Sequence, residues 1–329
     1  MITVTKYSEE WRIPWDNFIA ESVNGNFLHS RGFYDHNPAN DADECSFIFL
    51  KKNRIVAVLP CILYEKENKR ILHSHLRSTF GGFVVSNEIG AAEAVIIVEL
   101  IIKEARQLAV TEIIIRNPFR IFNKQQADET DYAMWFHGFS LKHRELEIAI
   151  DLQESLDVIE KRFENGTKYN IKKAEKTVVT ALTDDYEVFW KILAKNLQEK
   201  HGKDPVHTLE DLIRLREKAG KEKIKLFGGF LDDKMICGTI VFLFGKKALH
   251  AQYIASDAAY QELRPINAVT HHIIRWGHEN GFHYYNLGTA NEAGGRVLNR
   301  GLFHFKESFG GRGVLRETMH LLLNDLHEK

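Results

Sequence analysis

The sequence predicts an α/β protein of two tandem domains, residues 1–150 and 151–329, each built around a mixed β-sheet. The length of 329 residues is about twice that of a common domain of roughly 150 residues. The same order of elements is predicted in both halves: strand, hairpin turn, strand, strand, helix, strand. An antiparallel meander followed by one crossover helix and a further strand requires a sheet that contains both strand directions.

In the first half, runs of β-branched and aromatic residues bounded by turn residues indicate strands. Lys51-Lys52-Asn53 joins two of these runs as a hairpin turn, and the apolar periodicity of residues 89–110 indicates a helix. Asn117-Pro118 ends the last strand. The predicted strands are Cys45–Leu50, Arg54–Tyr64, Arg70–Leu76, Thr79–Val85 and Thr111–Arg116.

The second half repeats this order. Two amphipathic helices come first, and Thr208 with Asp211 three residues later indicates the N-terminal cap of the second one. Asp232-Asp233-Lys234 is a hairpin turn, and a helix over Pro265–Glu279 is ended by Asn280-Gly281. The predicted strands are Ile224–Leu231, Met235–Phe244, Ala248–Ser256 and Phe282–Leu287.

A basic helix is predicted over Leu156–Lys176, ahead of the strands of the second domain. Lys168, Lys172 and Lys176 recur at every fourth residue, which places three positive charges on one helical face. That face is either solvated or in contact with phosphate or RNA.

Composition is that of an ordinary globular protein, with 44% hydrophobic and 27% charged residues and a formal net charge of −1. The balanced charge excludes a general basic nucleic-acid binder, so any RNA contact is a local patch. Three cysteines without a Cys-x-x-Cys pair argue against a disulfide framework or a zinc site. The histidines lack the His-Glu-x-x-His spacing, and we expect no metal.

No signal peptide is visible, and the most apolar stretch, Ala91–Val110, carries five charges. We therefore expect a soluble, cytoplasmic protein. Because the chain has no P-loop, no Gly-x-Ser-x-Gly and no dinucleotide-binding fingerprint, nothing supports an NTPase, a serine hydrolase or a dehydrogenase.

A glycine-rich basic segment near the C-terminus holds most of the candidate site residues. Between residues 294 and 316 it has five cations and one acid, Glu307. In an otherwise balanced chain this imbalance indicates a phosphate-bearing substrate, with a solvated loop as the alternative. The cations are Arg296, Arg300, Lys306, Arg312 and Arg316.

Lys306 is the candidate for stabilising the oxyanion that forms when an amine attacks an ester or thioester. The alternative is a surface lysine in an exposed turn. His304 is a candidate proton acceptor if strand alternation or a tight turn sets it beside Lys306. Tyr253 either packs in the core or offers its hydroxyl to substrate where the sheet splays apart. Asn286 and His207 are further candidates for substrate binding.

Four stretches of the second half together resemble the Fem-type aminoacyl transferases and their relatives with the GNAT acyltransferase fold. They are FENGTKYNIKKAEK, LHAQYIASD, Arg264–Gly288 and Gly301–Gly313, in the order that the family has. The first half fits mainly by its order of elements. The resemblance implies a duplicated GNAT fold and a role in transfer for the pair Phe305-Lys306, with Phe305 at the substrate.

Two positions depart from the family pattern. Asn286-Leu287-Gly288 stands where the family's strand often ends in Asp-x-Gly, which removes a possible carboxylate base. The stretch Asp257–Ala268 contains no glycine, whereas acetyl-CoA enzymes of this fold bind pyrophosphate with a glycine-containing loop at a helix start.

The resemblance thus implies an acyl- or aminoacyltransferase that modifies an amine of a phosphate-bearing cell-envelope precursor, such as a nucleotide-linked sugar or peptide. The donor is either an acyl thioester such as acyl-CoA or an aminoacyl-tRNA, and no tightly bound cofactor is expected. The alternative is a catalytically silent protein of the same fold that binds an envelope precursor or RNA.

Overall fold

The computed structural model of the chain describes residues 1–36, 43–75, 78–202, 204–205 and 207–323. The chain divides into two compact units, here called the first unit and the second unit. The first unit comprises Met1–Glu145 together with Leu315–Lys329, and the second unit comprises Leu146–Val314. The sequence prediction places a single boundary after residue 150, whereas the structure assigns the last segment of the chain to the first unit.

The first unit contains four α-helices and ten β-strands among the described residues, two of the strands in part. The helices are α1 (Arg12–Glu21), α2 (Arg31–His36), α3 (Ala91–Gln107) and α4 (Glu129–Phe136). The strands are β1 (Ile2–Lys6), β2 (Asp43–Glu44), β3 (Phe47–Lys51), β4 (Arg54–Leu59), β5 (Cys61–Lys66), β6 (Lys69–Ser74), β7 (Val84–Val85), β8 (Glu112–Arg116) and the first part of β9 (Ser140–Asp151), and the last strand of the chain returns to this unit.

The strands of the first unit form two sheets, with the orders β1-β3-β4-β7 and β2-β5-β6-β8, and the chain's last strand pairs with β8. The sequence predicts one continuous strand over Arg54–Tyr64, and this is wrong. Pro60 separates β4 from β5, because proline has no N–H for a sheet ladder, and the two strands join different sheets. The predicted strand Thr79–Val85 is reduced to Val84–Val85, and Leu76 lies outside the described residues.

Helix α3 is the crossover between two parallel strands, β6 and β8. Its buried residues recur at the spacing of one helical face, which packs into the main core of the first unit. They are Ala94, Ile97, Val98, Ile101, Ile102 and Ala105. The helix is shorter at both ends than the predicted range 89–110.

The helices of the second unit are α5 (Leu156–Lys161), α6 (Asn165–Ala174), α7 (Tyr186–His201), α8 (Leu209–Ala219), α9 (Pro265–Glu279) and α10 (Arg300–Glu307). Its further strands are β10 (Val179–Thr183), β11 (Ile224–Leu231), β12 (Lys234–Phe244), β13 (Ala248–Ser256), β14 (Tyr284–Thr289), the short pair β15 (Asn291–Glu292) and β16 (Val297–Leu298), and the start of β17 (Arg312–Leu322). The helices flank strands with the order β10-β11-β12-β13-β14-β9, and β15 pairs only with β16 among the described residues.

Local signals in the sequence account for several helix ends. The Thr208 hydroxyl accepts the Asp211 N–H at 3.1 Å, and the Asp211 carboxylate accepts the Thr208 N–H at 2.9 Å, so the predicted cap of α8 is confirmed. Helix α9 has the predicted bounds. The predicted basic helix is instead two helices, α5 and α6. Because α6 ends at Ala174, Lys176 lies beyond it, and the three lysines do not share one helical face.

Each unit contains the same crossover. In the first unit β6, α3 and β8 form it, with His73 paired to Ile114 as the last parallel pair. In the second unit β13, α9 and β14 form it, with His250 paired to Asn286 as the last parallel pair. The strands entering the two crossovers read Leu72-His73-Ser74 and Leu249-His250-Ala251, so the same two residues stand at the same place in both units.

Candidate active site

The candidate site lies in the second unit, where β13 and β14 part. The strands pair over Ala248–His250 and Tyr284–Asn286, and no further pair between them is found in the described part of the chain. The ladder between β12 and β13 shifts register between Ile240 and Val241, which is the mark of a bulge in this region of β13. A gap of this kind offers main-chain groups with which an extended ligand can pair.

Lys306 lies beside this gap on α10 and is only 3% exposed. Its Nζ donates a hydrogen bond to the Gly288 carbonyl at 2.8 Å and another to the Thr289 carbonyl at 2.5 Å. Burial lowers the pKa of Lys306 to about 8, against the opposing effect of the nearby Glu147 carboxylate. The alternative of a surface lysine in an exposed turn is therefore wrong.

Glu147, which is 1% exposed on β9, connects the polar groups around Lys306. Its Oε2 accepts a hydrogen bond from Asn286 Nδ2 at 2.8 Å and lies 3.9 Å from His250 Nδ1. Asn286 Oδ1 in turn accepts the Gly288 N–H at 2.9 Å. Asn286 is fully buried, and its hydrogen bond to the Gly288 N–H fixes the turn at Gly288.

Gly288 marks the point on which these side chains converge. Its φ of 76° lies in the left-handed region that favours glycine. A Cβ atom at this position would lie 3.4 Å from the Ala251 carbonyl oxygen, 3.9 Å from Lys306 Nζ and 4.0 Å from His250 Cε1. Because Gly288 has no side chain, space remains between the Lys306 ammonium, the His250 imidazole and the edge of β13.

His304 is not beside Lys306, because the segment is a helix and residues two apart point to different sides of it. The His304 side chain is 72% exposed, with Nε2 3.7 Å from Glu164 Oε2. Its neighbour Phe305 is half-buried and contacts the Phe309 ring at a centroid distance of 5.4 Å. The geometry thus supports Lys306 as a site residue and leaves His304 outside the site.

Tyr253 lies on β13 beyond the last parallel pair, on the part of the strand that borders the gap. The residue is half-buried, and its ring meets the Trp190 ring of α7 edge to face at 5.4 Å. Burial raises the pKa of Tyr253 to about 12, so its hydroxyl stays protonated at neutral pH and can donate a hydrogen bond.

The predicted basic cluster does not form one site. Arg296, Arg300 and Arg312 are exposed in the second unit, and the described residues give their guanidinium groups no ion pair. Arg316 is buried in the first unit, where its Nη2 lies 2.8 Å from Glu145 Oε2. His207 is half-buried in the turn before α8.

The sequence interpretation missed Glu147 and His250. Both come from strands that are distant in sequence, so only the register of the sheet brings them together. One signal could have found His250: the Leu-His dipeptide that recurs within the third β-run of each half. Among the described residues no group of three or more His, Cys, Asp or Glu side chains could hold a metal ion, and no helix is long and apolar enough to cross a membrane.

The turn that leads into α9 does not fit the pyrophosphate of coenzyme A in the way that a glycine-containing loop does. It is a 3₁₀ helix, Ala258–Leu263, followed by Arg264 with a φ of 56°. Asp257 and Glu262 add negative charge there, and Pro265 at the helix start has no N–H to donate.

Comparisons with known proteins agree with this description of the fold. The family model of the acetyltransferase (GNAT) domain matches residues 161–307, which include β13, β14 and Lys306. No curated protein matches the sequence significantly.

Solved structures extend the likeness to the whole chain. FemX is 12% identical, covers 98% of both chains and superposes with a TM-score of 0.72. L-PGS from Bacillus licheniformis is 13% identical, covers 93% of this chain and 90% of its own, and has a TM-score of 0.61. A tandem GNAT protein from the clavulanic acid biosynthesis pathway is 10% identical, covers 98% of this chain and 99% of its own, and has a TM-score of 0.53.

These findings confirm the predicted fold class and the predicted enzyme class, an acyltransferase. The chain has the fold of FemX and of the tandem GNAT protein, and residues 161–307 of its second unit match the family model of the acetyltransferase (GNAT) domain.

Proposed function

We propose that the second unit transfers an acyl or aminoacyl group to an amine, with the reacting atoms next to Gly288. The observation that carries the proposal is Lys306, a buried lysine whose Nζ lies at the gap between β13 and β14. A cation held in a site with little water stabilises a developing negative charge far better than one in solvent. Burial of the ammonium also lowers its pKa, which surface lysines do not show.

The proposed reaction has three parts. The nitrogen of a neutral amine attacks the carbonyl carbon of an ester or thioester, and the negative charge that develops on the carbonyl oxygen faces Lys306. The imidazole of His250 takes the proton from the attacking nitrogen, and Glu147 stabilises the resulting imidazolium. The C–O or C–S bond to the leaving group then breaks, and the proton passes from His250 to the departing oxygen or sulfur.

The equivalent gap of the first unit is filled by its own chain, which supports the choice of the second unit. There the Gly81 N–H donates to the Arg116 carbonyl at 2.9 Å, just beyond the last parallel pair of β6 and β8. Phe80 is fully buried, with its ring 5.6 Å from that of Phe122 and 6.1 Å from that of Phe119. Among the described residues, the β8 edge at this gap is therefore already paired, by Gly81, where an extended ligand would pair.

For the acceptor we propose an amine on a phosphate-bearing precursor of the cell envelope. The exposed Arg296, Arg300 and Arg312 are free to bind phosphate, since the described residues give them no ion pair. The resemblance of the second-half sequence to the Fem-type transferases implies the same class of acceptor. The donor is an aminoacyl-tRNA or an acyl thioester. The turn before α9 argues against binding of the coenzyme A pyrophosphate by a glycine-containing loop.

Kinetics of Lys306 variants test the proposal. Lys306→Ala should lower kcat on the order of 10²-fold with a nearly unchanged KM for the acceptor, because the charge acts in the transition state. Lys306→Arg should restore only part of the activity, since a planar guanidinium places its charge differently. Lys172→Ala, which removes an exposed lysine from α6, is the matched control.

The assays should offer acetyl-CoA and aminoacyl-tRNA as donors in parallel, each with a panel of nucleotide-linked amino sugars and peptides as acceptors. Turnover with one donor identifies the donor class. Unchanged kinetics in Lys306→Ala would refute the role of Lys306.

A second candidate function, a silent binding protein of the same fold, is favoured by one observation: Asn286 stands where a carboxylate base is common in the resembling family. If the wild type binds an envelope precursor in a thermal-shift assay but turns over no donor, the binding function is the correct one.

A further inference from the structure

Two arginines, Arg116 and Arg316, lie together on the sheet of the first unit, and within the described residues a carboxylate pairs with Arg316 only. Arg116 is the last residue of β8, and Thr318 of β17 is its cross-strand partner. Arg316 lies two residues before Thr318 and therefore on the same face of β17. Its Nε and Nη2 donate to Glu145 Oε2 at 3.2 and 2.8 Å, so one edge of this guanidinium grips a carboxylate.

The corresponding edge of Arg116 has no such partner. Its Nη1 donates to the Ser78 carbonyl at 3.1 Å, which leaves Nε and Nη2. Nε is buried and has no hydrogen-bond partner among the residues that the structure describes. Burial and the charge of the neighbouring Arg316 lower the pKa of Arg116, so the protonated guanidinium is held there at a cost.

Two hydroxyl groups next to Arg116 are also buried without a hydrogen-bond partner among the described residues. Thr318 is 2% exposed and Ser78 is 5% exposed. Neither Thr318 Oγ1 nor Ser78 Oγ finds a hydrogen-bond partner within the described part of the chain. A buried polar group without a hydrogen-bond partner is destabilising, and three such groups on neighbouring residues indicate a binding site for a ligand or water more readily than three separate defects.

We propose that Arg116, Thr318 and Ser78 form a binding site for an oxyanion, the carboxylate or phosphate group of a small ligand. An oxyanion would accept two hydrogen bonds from the Nε–Nη2 edge, as Glu145 does from Arg316, and further ones from the two hydroxyls. It would also balance the charge of Arg116, because the Glu145 carboxylate pairs with Arg316 and the nearby Arg316 charge disfavours the protonated Arg116. This site is in the first unit and does not depend on the proposed transfer reaction.

Arg116 occupies a position in the first unit that is equivalent to a position of the candidate active site in the second unit. Arg116 follows the last parallel pair of its crossover by two residues, as Gly288 does in the second unit. The second unit keeps this position empty beside Lys306, whereas the first unit places a guanidinium there. The two copies would thus use equivalent places for different tasks, the second for chemistry and the first for anion binding.

Anion titrations of the full chain test the site. Calorimetry and thermal unfolding with sodium phosphate and, separately, with sodium acetate should be run at constant ionic strength in sodium chloride. We expect at least one of the two anions to bind and to raise the midpoint of unfolding. Saturation by phosphate alone assigns a phosphate ligand, and saturation by acetate alone assigns a carboxylate.

Variants then locate the binding. Arg116→Gln should weaken it at least about tenfold, because the charged edge is lost. Thr318→Val keeps the shape of the side chain and removes one hydroxyl, so it should weaken anion binding by a smaller factor. This variant takes the place of Arg116→Gln in the test if Arg116→Gln does not fold. Arg106→Gln, which removes an exposed arginine from the last turn of α3 in the first unit, should bind as the wild type does. Equal binding by wild type and Arg116→Gln would overturn the proposal, and so would the absence of binding by either anion, since the edge would then hold ordered water only.

Discussion

At the scale of single residues, the burial of Lys306 is the feature that matters most and the one that sequence could not supply. The pair Phe305-Lys306 singled the residue out by resemblance, but HFKES reads equally well as an exposed turn. A helical spacing decides between them: Phe303 and Lys306 are three apart on α10, and both are buried. Glu147 and His250 were not predicted, because nothing local in the sequence shows which strands become neighbours.

A pH titration of stability should reveal the buried lysine. Its pKa falls from an ordinary 10.5 to about 8 in the folded protein. Below pH 8 the lysine is charged in both states, and between about pH 8 and 10.5 the unfolded chain binds more protons. The free energy of unfolding should therefore rise over this window, by about 3 kcal/mol in total, and the gain should be lost again as the pH falls through 8.

Chemical denaturation of wild type and Lys306→Met at several pH values measures this contribution. The difference between the two proteins isolates the lysine from other titrating groups, and the Met variant should lack the rise. Lys172→Met, at an exposed position, should keep it. A pH dependence that is the same in all three proteins would show that Lys306 does not titrate near pH 8.

At the scale of elements, strong local signals in the sequence predicted helix ends correctly, but the sheet to which each strand belongs was not predicted. The bounds of α9 follow from a proline at its first position and Asn280-Gly281 after its end. The division of the first-half meander into two sheets depends on Pro60, which the prediction placed inside a strand. Strand propensity describes a pleated environment but carries no information on which sheet a strand joins.

The capping box of α8 offers a quantitative test at this scale. Thr208→Ala removes the hydroxyl that accepts the Asp211 N–H, and it should lower the free energy of unfolding by about 1 kcal/mol. Thr208→Ser keeps an acceptor at the same place and should cost much less. Urea denaturation of both variants measures the difference, and equal losses would mean that the hydroxyl is not what stabilises the helix start.

At the scale of the whole molecule, the order of elements in the sequence predicted the duplication, and the different surroundings of equivalent residues in the two copies were not predicted. The last parallel pair of each crossover contains a histidine, His73 in the first unit and His250 in the second. His73 faces the Tyr64 hydroxyl at 3.3 Å, and burial lowers its pKa to about 3. His250 instead lies near Glu147 and the open position of Gly288.

Matched substitutions at these two histidines should separate the roles of the units. His250→Asn removes the proposed proton acceptor and should lower kcat at least about tenfold. The loss should be largest at the pH values at which removal of the proton from the attacking amine limits the rate. His73→Asn makes the same chemical change at the equivalent place in the first unit and should leave kcat within about twofold. Circular dichroism and the midpoint of unfolding establish that both variants are folded before kinetics are compared. Equal losses of kcat in the two folded variants would mean that the chemistry is not confined to the second unit. The neighbours Glu147 and Lys306, which His250 has in the second unit, would then not explain the loss.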